Sequence, residues 1–330
     1  MAKSNINDLY RGSYFWEGVG VDVEELSTLD EILEKSGANF KVNTTRCLGK
    51  VDIYNPETDS NEVKEIVARG KKLVYREDTY ESLGVVGSSQ TIIQNAEVGA
   101  IAEQLRNMGH GAWVSVAVNG RGESVFFIQK LEEKCSIKGT TDEVEFFHIL
   151  LNGHDGTLKL SMAFVPIQVR TKSVVVFDCD VANSYEMKHT KNIDMRIAEA
   201  SRLLSQSQAY FSNWISEANA LADTELKSEQ IEEVINYLIP AAPKRQAKAD
   251  TARNTLIGVY ESAYQDLPLL RNTAWHLYSA IAEYADQYRT FKDRTDDDGK
   301  GNSRLENRFS TILFRDQLKA KAYKKIKKMI

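Results

Sequence analysis

The sequence predicts an α+β protein: an antiparallel sheet with one packed helix in the N-terminal half, followed by an all-helical C-terminal half. Three observations predict it. Between about residues 71 and 180, short runs rich in β-branched and aromatic residues alternate with turns containing Gly and Asn, the pattern of antiparallel strands. Within that half one clear stretch, from about Ala96 to Met108, instead places Val98, Ile101, Ala102 and Leu105 at helical spacing. From about Thr190 the helical period takes over and stays. Strands grouped before helices, rather than alternating with them, argue against a doubly wound sheet. The chain divides accordingly into an N-terminal arm (1–70), an antiparallel α+β core (71–189) and a helical region (190–330).

The elements follow in order. In the arm, Leu26 to Leu33 reads as a short helix capped by Ser27 or Thr28, and Asn55-Pro56-Glu57-Thr58-Asp59 as a turn. Lys72–Arg76 and Glu81–Val86 are strands, Gly87-Ser88-Ser89 a hairpin turn, and Thr91–Gln94 a returning strand. Asn95 caps the helix that ends at Asn107-Met108-Gly109-His110-Gly111. Strands are then expected at Ala112–Val118, Ser124–Leu131, Val144–Leu151, Leu158–Val169 and Ser173–Phe177. Ile193 to Leu221 reads as one long amphipathic helix, and Glu229 to Ile239 as another, stopped by Pro240. Ala241 to Lys248 is an exposed linker. Asp250–Tyr264, Thr273–Phe291 and a basic Ser303–Ile330 complete the helices, with an exposed loop at Asp296–Asn302.

Composition narrows the function classes. The 330 residues are 42% hydrophobic and 27% charged, ordinary for a globular protein, and the formal net charge is -5. That charge gives no overall basic field for nucleic acid. The distribution is uneven: residues 1–35 are acidic, while Arg315, Lys319, Lys321, Lys324, Lys325, Lys327 and Lys328 crowd the C-terminal end. A basic tail can contact phosphate, although the simpler reading is a solvated helix face. Cys47, Cys135 and Cys179 are far apart and form no Cys-x-x-Cys pair, which argues against a disulfide framework or a cysteine zinc site. The chain shows no apolar signal core and no run near the ~20 apolar residues that span a bilayer. The expectation is a cytoplasmic protein with no membrane partner.

Leu151-Asn152-Gly153-His154-Asp155-Gly156-Thr157, between two strand-like runs, holds polar groups between two glycines. His148, His154 and Asp155 are metal-capable, but their spacing fits no metal motif, and an Asp-centred turn is the simpler reading. Asp178-Cys179-Asp180 puts two carboxylates on one side of a strand end. Together with His154 and Asp155 they define a metal-dependent nuclease as the rival reading. Gly84-Val85-Val86-Gly87 lacks the pattern of a phosphate-binding loop. Arg170, Lys172, Lys188, His189, Lys191 and Arg196 form a basic stretch where sheet passes into helix, and Lys71, Lys72 and Arg76 precede the first core strand. Aromatics in the same half include Tyr75, Tyr80, Trp113, Phe126, Phe127 and Tyr185. Cations for phosphates beside flat faces for bases are what single-stranded nucleic acid needs, although most of these aromatics belong in a core. Trp275, Tyr278, Ile281, Tyr284, Ala285 and Tyr288 read as a helix packing face.

These segments resemble the phage/plasmid-like protein family. The resemblance is carried by Arg76-Glu77-Asp78, Leu83-Gly84-Val85-Val86-Gly87, Gln94-Asn95, Asn152 to Thr157, Pro166, Lys188-His189-Thr190, Asn272-Thr273-Ala274-Trp275 and Phe309 to Phe314. It departs after Pro166, where Thr171 and Ser173 stand in place of the family's usual Cys and Asn. A more distant likeness joins Thr91 to Leu105 and Gly111-Ala112-Trp113 to single-strand annealing proteins, where a hairpin leads into a helix and Gly-x-Trp opens an antiparallel sheet. The first resemblance implies a mobile-element setting; the second implies annealing. The resulting expectation is a non-enzymatic protein without a cofactor that binds and anneals single-stranded DNA as a homo-oligomer. Lys72, Arg76, Arg170, Lys172, Lys188, Lys191 and Arg196 would hold phosphates. A protein that binds a host protein and ignores DNA is the remaining class.

Overall fold

The computed structural model describes residues 14–140, 143–158, 160–169, 174–177, 184–186, 193–241, 246–265, 267–289, 291–292, 294–295, 301–315 and 317–330. Its centre is a seven-stranded antiparallel sheet. The strands are β1 (Gly20–Asp22), β5 (Ala112–Asn119), β6 (Ser124–Ser136), β7 (Glu143–Gly153), β8 (Ser161–Val169), β9 (Val174–Val176) and β10 (Ser184–Glu186). The order is β1-β5-β6-β7-β8-β10, and β9 also pairs with β8. A separate sheet joins β2 (Val42–Asn55), β3 (Ser60–Arg76) and β4 (Ser82–Gly87) in that order. The α+β class expected from the sequence is the class observed.

The central strands are apolar almost throughout because both faces of the sheet are covered. On one face lie Val116, Phe127, Phe146, Leu150, Met162 and Phe164, in a core cluster that extends through the helical region to Ile326. On the other lie Ala117, Phe126, Phe147, Ile149, Leu151, Val165 and Ile167, covered by Phe15, Trp16, Phe309 and Ile312. Period-two alternation sends neighbouring residues to opposite cores.

The helices are α1 (Leu29–Ser36), α2 (Asn95–Asn107), α3 (Ile193–Ser205), α4 (Ser207–Asp223), α5 (Ser228–Leu238), α6 (Gln246–Ser262), α7 (Ala274–Glu283), α8 (Arg304–Ser310) and α9 (Gln317–Lys327). Local chemistry sets their ends. Thr28 and Glu31 form a capping box on α1, and Ser303 and Glu306 form one on α8. The Thr273 hydroxyl accepts from the backbone N–H of His276 at the start of α7.

Several expectations are corrected. Thr91–Gln94 is not a strand: Gln94 reaches Val42 through its side chain, accepting at 3.0 Å and donating at 2.8 Å, and leads into α2. The helix expected over Ile193–Leu221 is two helices, broken at Gln206, where Ser205 and Ser207 hydroxyls donate to the carbonyls of Arg202 and Leu204. Serine donating to its own turn competes with helix propagation. The α7 helix passes into a π-turn at Tyr284–Tyr288, and α8 into another at Thr311–Arg315. The arm contributes β1 to the central sheet and sends β2 and β3 out as a long hairpin.

One buried ion pair locks the C-terminal helix to the sheet. Lys319 and Asp286 are 0% and 1% exposed, with 2.5 Å between Nζ and Oδ1. Lys319 donates to the Val176 carbonyl at 2.6 Å, and Asp286 accepts the Val176 N–H at 2.9 Å. Lysine 319 is therefore a clamp on β9 and not part of a solvated basic face.

Candidate nucleic-acid interface

The cations expected to form a seam are placed as follows. Arg170, Lys172, Lys188 and Lys191 lie outside the described residues, as do Asp178 and Asp180. Arg196, on α3, is 2% exposed with its guanidinium 3.5 Å from Glu97 of α2. So enclosed a side chain has no path to a backbone phosphate, and Arg196 leaves the set. Arg76 ion-pairs with Asp78 at 2.7 Å, donates to the Arg121 carbonyl at 2.8 Å, and stacks over Phe40 at 4.0 Å. Lys72 donates to the Gln90 carbonyl at 2.6 Å. These two groups hold β3 to its neighbours.

The glycine-flanked motif and the strand β4 glycines converge on one structural node. Asn152 donates to the Ile93 carbonyl and to Asn95 Oδ1, both at 3.0 Å. His154 Nε2 lies 2.9 Å from that same Asn95 oxygen. Asn95 in turn donates to the Ala38 carbonyl at 3.2 Å. A side chain at Gly84 would place its Cβ 2.6 Å from Asp155 Cα, and one at Gly153 would place it 2.3 Å from the Leu158 carbonyl oxygen. Only glycine permits either approach. Asp155 accepts from the Thr157 N–H at 2.8 Å and from its hydroxyl, closing the turn. Burial holds the His154 imidazole down to about 4, against a smaller opposing pull from Asp155. His148 is lowered further, to about 3, first by burial and then by His110, and its Nε2 sits 2.5 Å from Gln129 Oε1. His154 and Asp155 thus face their own neighbours, and among the described residues no group of three or more His, Cys, Asp or Glu side chains comes together to hold a metal ion.

The described surface offers two cavities of note. One, of about 520 Å³, lies against α1 and the start of α2 and is lined by Asp30, Glu34 and Glu97 with Lys41. Its carboxylates repel a polyanion. The other, of about 300 Å³, lies between α4, α7 and α9. Tyr210, Trp214 and Glu217 project into it from α4 at helical spacing, Trp275 and Tyr278 from α7, and Tyr323, Lys324 and Lys327 from α9. Trp275 and Tyr278 are buried and form the floor, whereas Tyr210, Trp214 and Tyr323 are partly open. The rings pack edge-on or tilted: Trp214 and Trp275 centroids are 6.1 Å apart, Tyr278 and Tyr323 5.7 Å. Phe177 backs the floor, 4.8 Å from Trp275.

The mouth is polar and cationic. Lys327 donates to Glu217 at 2.6 Å and to the Tyr323 hydroxyl at 3.2 Å, and Tyr323 itself donates to Glu217. Burial works against the Glu217 carboxylate, but the hydrogen bonds from Lys327 and Tyr323 outweigh it and hold the group below the usual glutamate range. Burial and the bond to Glu217 push the Tyr323 phenol up. Glu217, Lys327 and Tyr323 therefore form a fixed latch on one side; Lys324 lines the cleft beside it, and Lys321 and Lys328, three residues before and four after Lys324, are exposed. A cleft of this kind accepts a flat ring against its aromatic wall and a phosphate at its edge.

Sequence reasoning found only part of this site. Trp275 and Tyr278 read in the sequence as a packing face, and they also line the cleft; the C-terminal lysines read as a basic stretch. Sequence reasoning passed over Tyr210, Trp214, Glu217 and Tyr323. The available signal was the pair Tyr210 and Trp214 one turn apart with Glu217 three residues on, but nothing in the sequence says that α4 faces α9.

Among the described residues no helix is long and apolar enough to cross a membrane. In comparison with known proteins, the family model for a domain of unknown function (DUF932) matches residues 82–308. No curated protein and no solved structure matches.

Proposed function

The chain belongs to the DUF932 family of domains of unknown function, and from the chemistry of the α4–α7–α9 cleft we propose that it is a single-stranded DNA-binding and annealing protein of a mobile element. The observation that carries this reading is the aromatic-walled cavity of about 300 Å³ with lysines at its mouth. An unpaired base stacks on Trp214 and Tyr323, and the flanking phosphates meet Lys321, Lys324 and Lys328. Duplex DNA keeps its bases paired and stacked, so it gains only the phosphate contacts. The resemblance to phage and plasmid-like proteins supports the mobile-element setting. Annealing requires two strands to be held at once, hence more than one cleft per particle.

The test is fluorescence anisotropy of a labelled 20-nucleotide single strand titrated with the full chain. Three phosphate contacts predict a slope of about -2 in log K against log salt, an affinity loss of roughly twentyfold between 50 and 200 mM. Lys324→Glu combined with Lys328→Glu flattens that slope. Absence of binding at 50 mM salt refutes the proposal. Accelerated pairing of two complementary strands tests the annealing step.

A further inference from the structure

We propose that the β2–β3 hairpin is a self-association arm that pairs with the same arm of a second copy of this chain, antiparallel and across a two-fold axis. The proposal stands independently of the nucleic-acid reading.

The hairpin leaves the body at a break in its ladder. Arg46 pairs with Lys72, but Leu48 pairs with Val67, so Cys47 faces the longer stretch 68–71. β4 pairs only with Lys71 to Tyr75 of β3. Beyond that point Leu48–Asn55 and Ser60–Val67 run as a two-stranded ribbon for eight pairs, roughly 25 Å. Both edges of this ribbon lack a neighbouring strand among the described residues. An isolated two-stranded hairpin is at best marginally stable in water, and its free edges are templates for pairing.

The ribbon also exposes more apolar surface than a solvated hairpin needs. One face carries Leu48, Tyr54, Val63 and Val67, exposed by 48, 58, 61 and 53%. The other carries Val51, Ile53 and Ile66 at 42, 41 and 56%. Large apolar groups exposed on both faces, interleaved with charges of both signs, mark an interaction surface.

Charge identifies the occupant. Residues 52–62, the tip, carry Asp52, Glu57, Asp59 and Glu62 and no Lys or Arg. The base segments 46–51 and 63–72 carry Arg46, Lys50, Lys64, Arg69, Lys71 and Lys72 against Glu65 alone. An acidic tip repels DNA. The same ribbon turned end for end sets each acidic tip on the partner's basic base, which is the self-complementarity a two-fold contact requires.

The experiment is sedimentation velocity of the full chain. The wild type is expected to sediment as a dimer or larger even-numbered species at micromolar concentration. Tip reversal (Asp52→Lys with Glu62→Lys) and base reversal (Lys50→Glu with Lys64→Glu) each raise the dissociation constant at least tenfold. An equimolar mixture of the two variants restores assembly, because each reversed tip now meets a reversed base. A variant with residues 49–66 replaced by Asn-Gly is monomeric, with circular dichroism checking that the body is folded. A monomeric wild type, an assembly unchanged by arm removal, or a mixture that stays as weak as its components overturns the proposal. So does an arm-deleted chain that keeps its mass but loses single-stranded DNA, since the arm is then a DNA contact.

Discussion

Replacing Lys319 by Met tests how the C-terminal helix is fixed and, through it, how the cleft is held. The ammonium is fully buried 2.5 Å from Asp286, itself 1% exposed. Lys319→Met takes the ammonium from a carboxylate buried in the core, and breaking such a pair costs about 3–5 kcal/mol. The Val176 carbonyl loses its 2.6 Å donor as well. Asp286→Leu strands the ammonium in the same way. The double variant removes both charges of the pair and takes these partners from the Val176 N–H and carbonyl, about 1–3 kcal/mol for each group. The two substitutions should therefore be non-additive, the double variant being more stable than the sum of the singles by at least about 2 kcal/mol. Urea denaturation of the three variants, followed by circular dichroism, measures this. Single variants within about 1 kcal/mol of wild type, or strictly additive ones, refute the reasoning. Because α9 carries Tyr323 and Lys324, Lys319→Met should also weaken oligonucleotide binding without touching the cleft.

Three further predictions concern pH, backbone approach and stacking. His148 and His154 are lowered to about 3 and about 4 from an ordinary value of 6.5, so below pH 6.5 the unfolded chain takes up protons that the folded chain refuses. Stability is complete above pH 6.5 and falls as pH drops towards 4, by up to about 1.4 kcal/mol per pH unit for each ring; urea midpoints between pH 7 and 5 report it, and His148→Gln halves the slope. Gly84→Ala drives a methyl to 2.6 Å from Asp155 Cα and should lower thermal stability by about 1–3 kcal/mol, whereas a midpoint equal to wild type means that β4 does not lie against the motif. Trp214→Ala removes one stacking surface and should weaken single-strand affinity by about five- to 150-fold, from about 1–3 kcal/mol per stacked base; unchanged anisotropy places the base elsewhere.

The parts of the fold legible in the sequence are those where burial enforces a pattern. Phe146–Leu151 and Met162–Ile167 read as strands because two cores demand apolar residues on both faces, and α2 and α5 because one stripe of each is buried. The hairpin arm was illegible for the converse reason. With neither face of β2 or β3 packed beyond Arg46, apolar and charged residues are interleaved, and only the turn at Asn55–Asp59 stood out. Lys319 is hidden in the sequence because a buried lysine looks like any other lysine in a basic run until Asp286, 33 residues earlier in the chain, is placed beside it. The candidate site is assembled from three helices spread between Ser207 and Lys327. Each contributes an ordinary-looking amphipathic stretch, and tertiary packing alone turns them into a cleft.

Intrinsic tryptophan fluorescence offers the most direct test of the central claim, because Trp214 and Trp275 line the cleft while Trp16 and Trp113 are buried elsewhere at 4% and 3% exposure. Titration with an unlabelled single strand at 50 mM salt should give saturable quenching that is weaker at 200 mM and disappears in Trp214→Phe paired with Lys324→Glu. Unquenched emission on a strand that demonstrably binds, or no binding at all, would contradict the account.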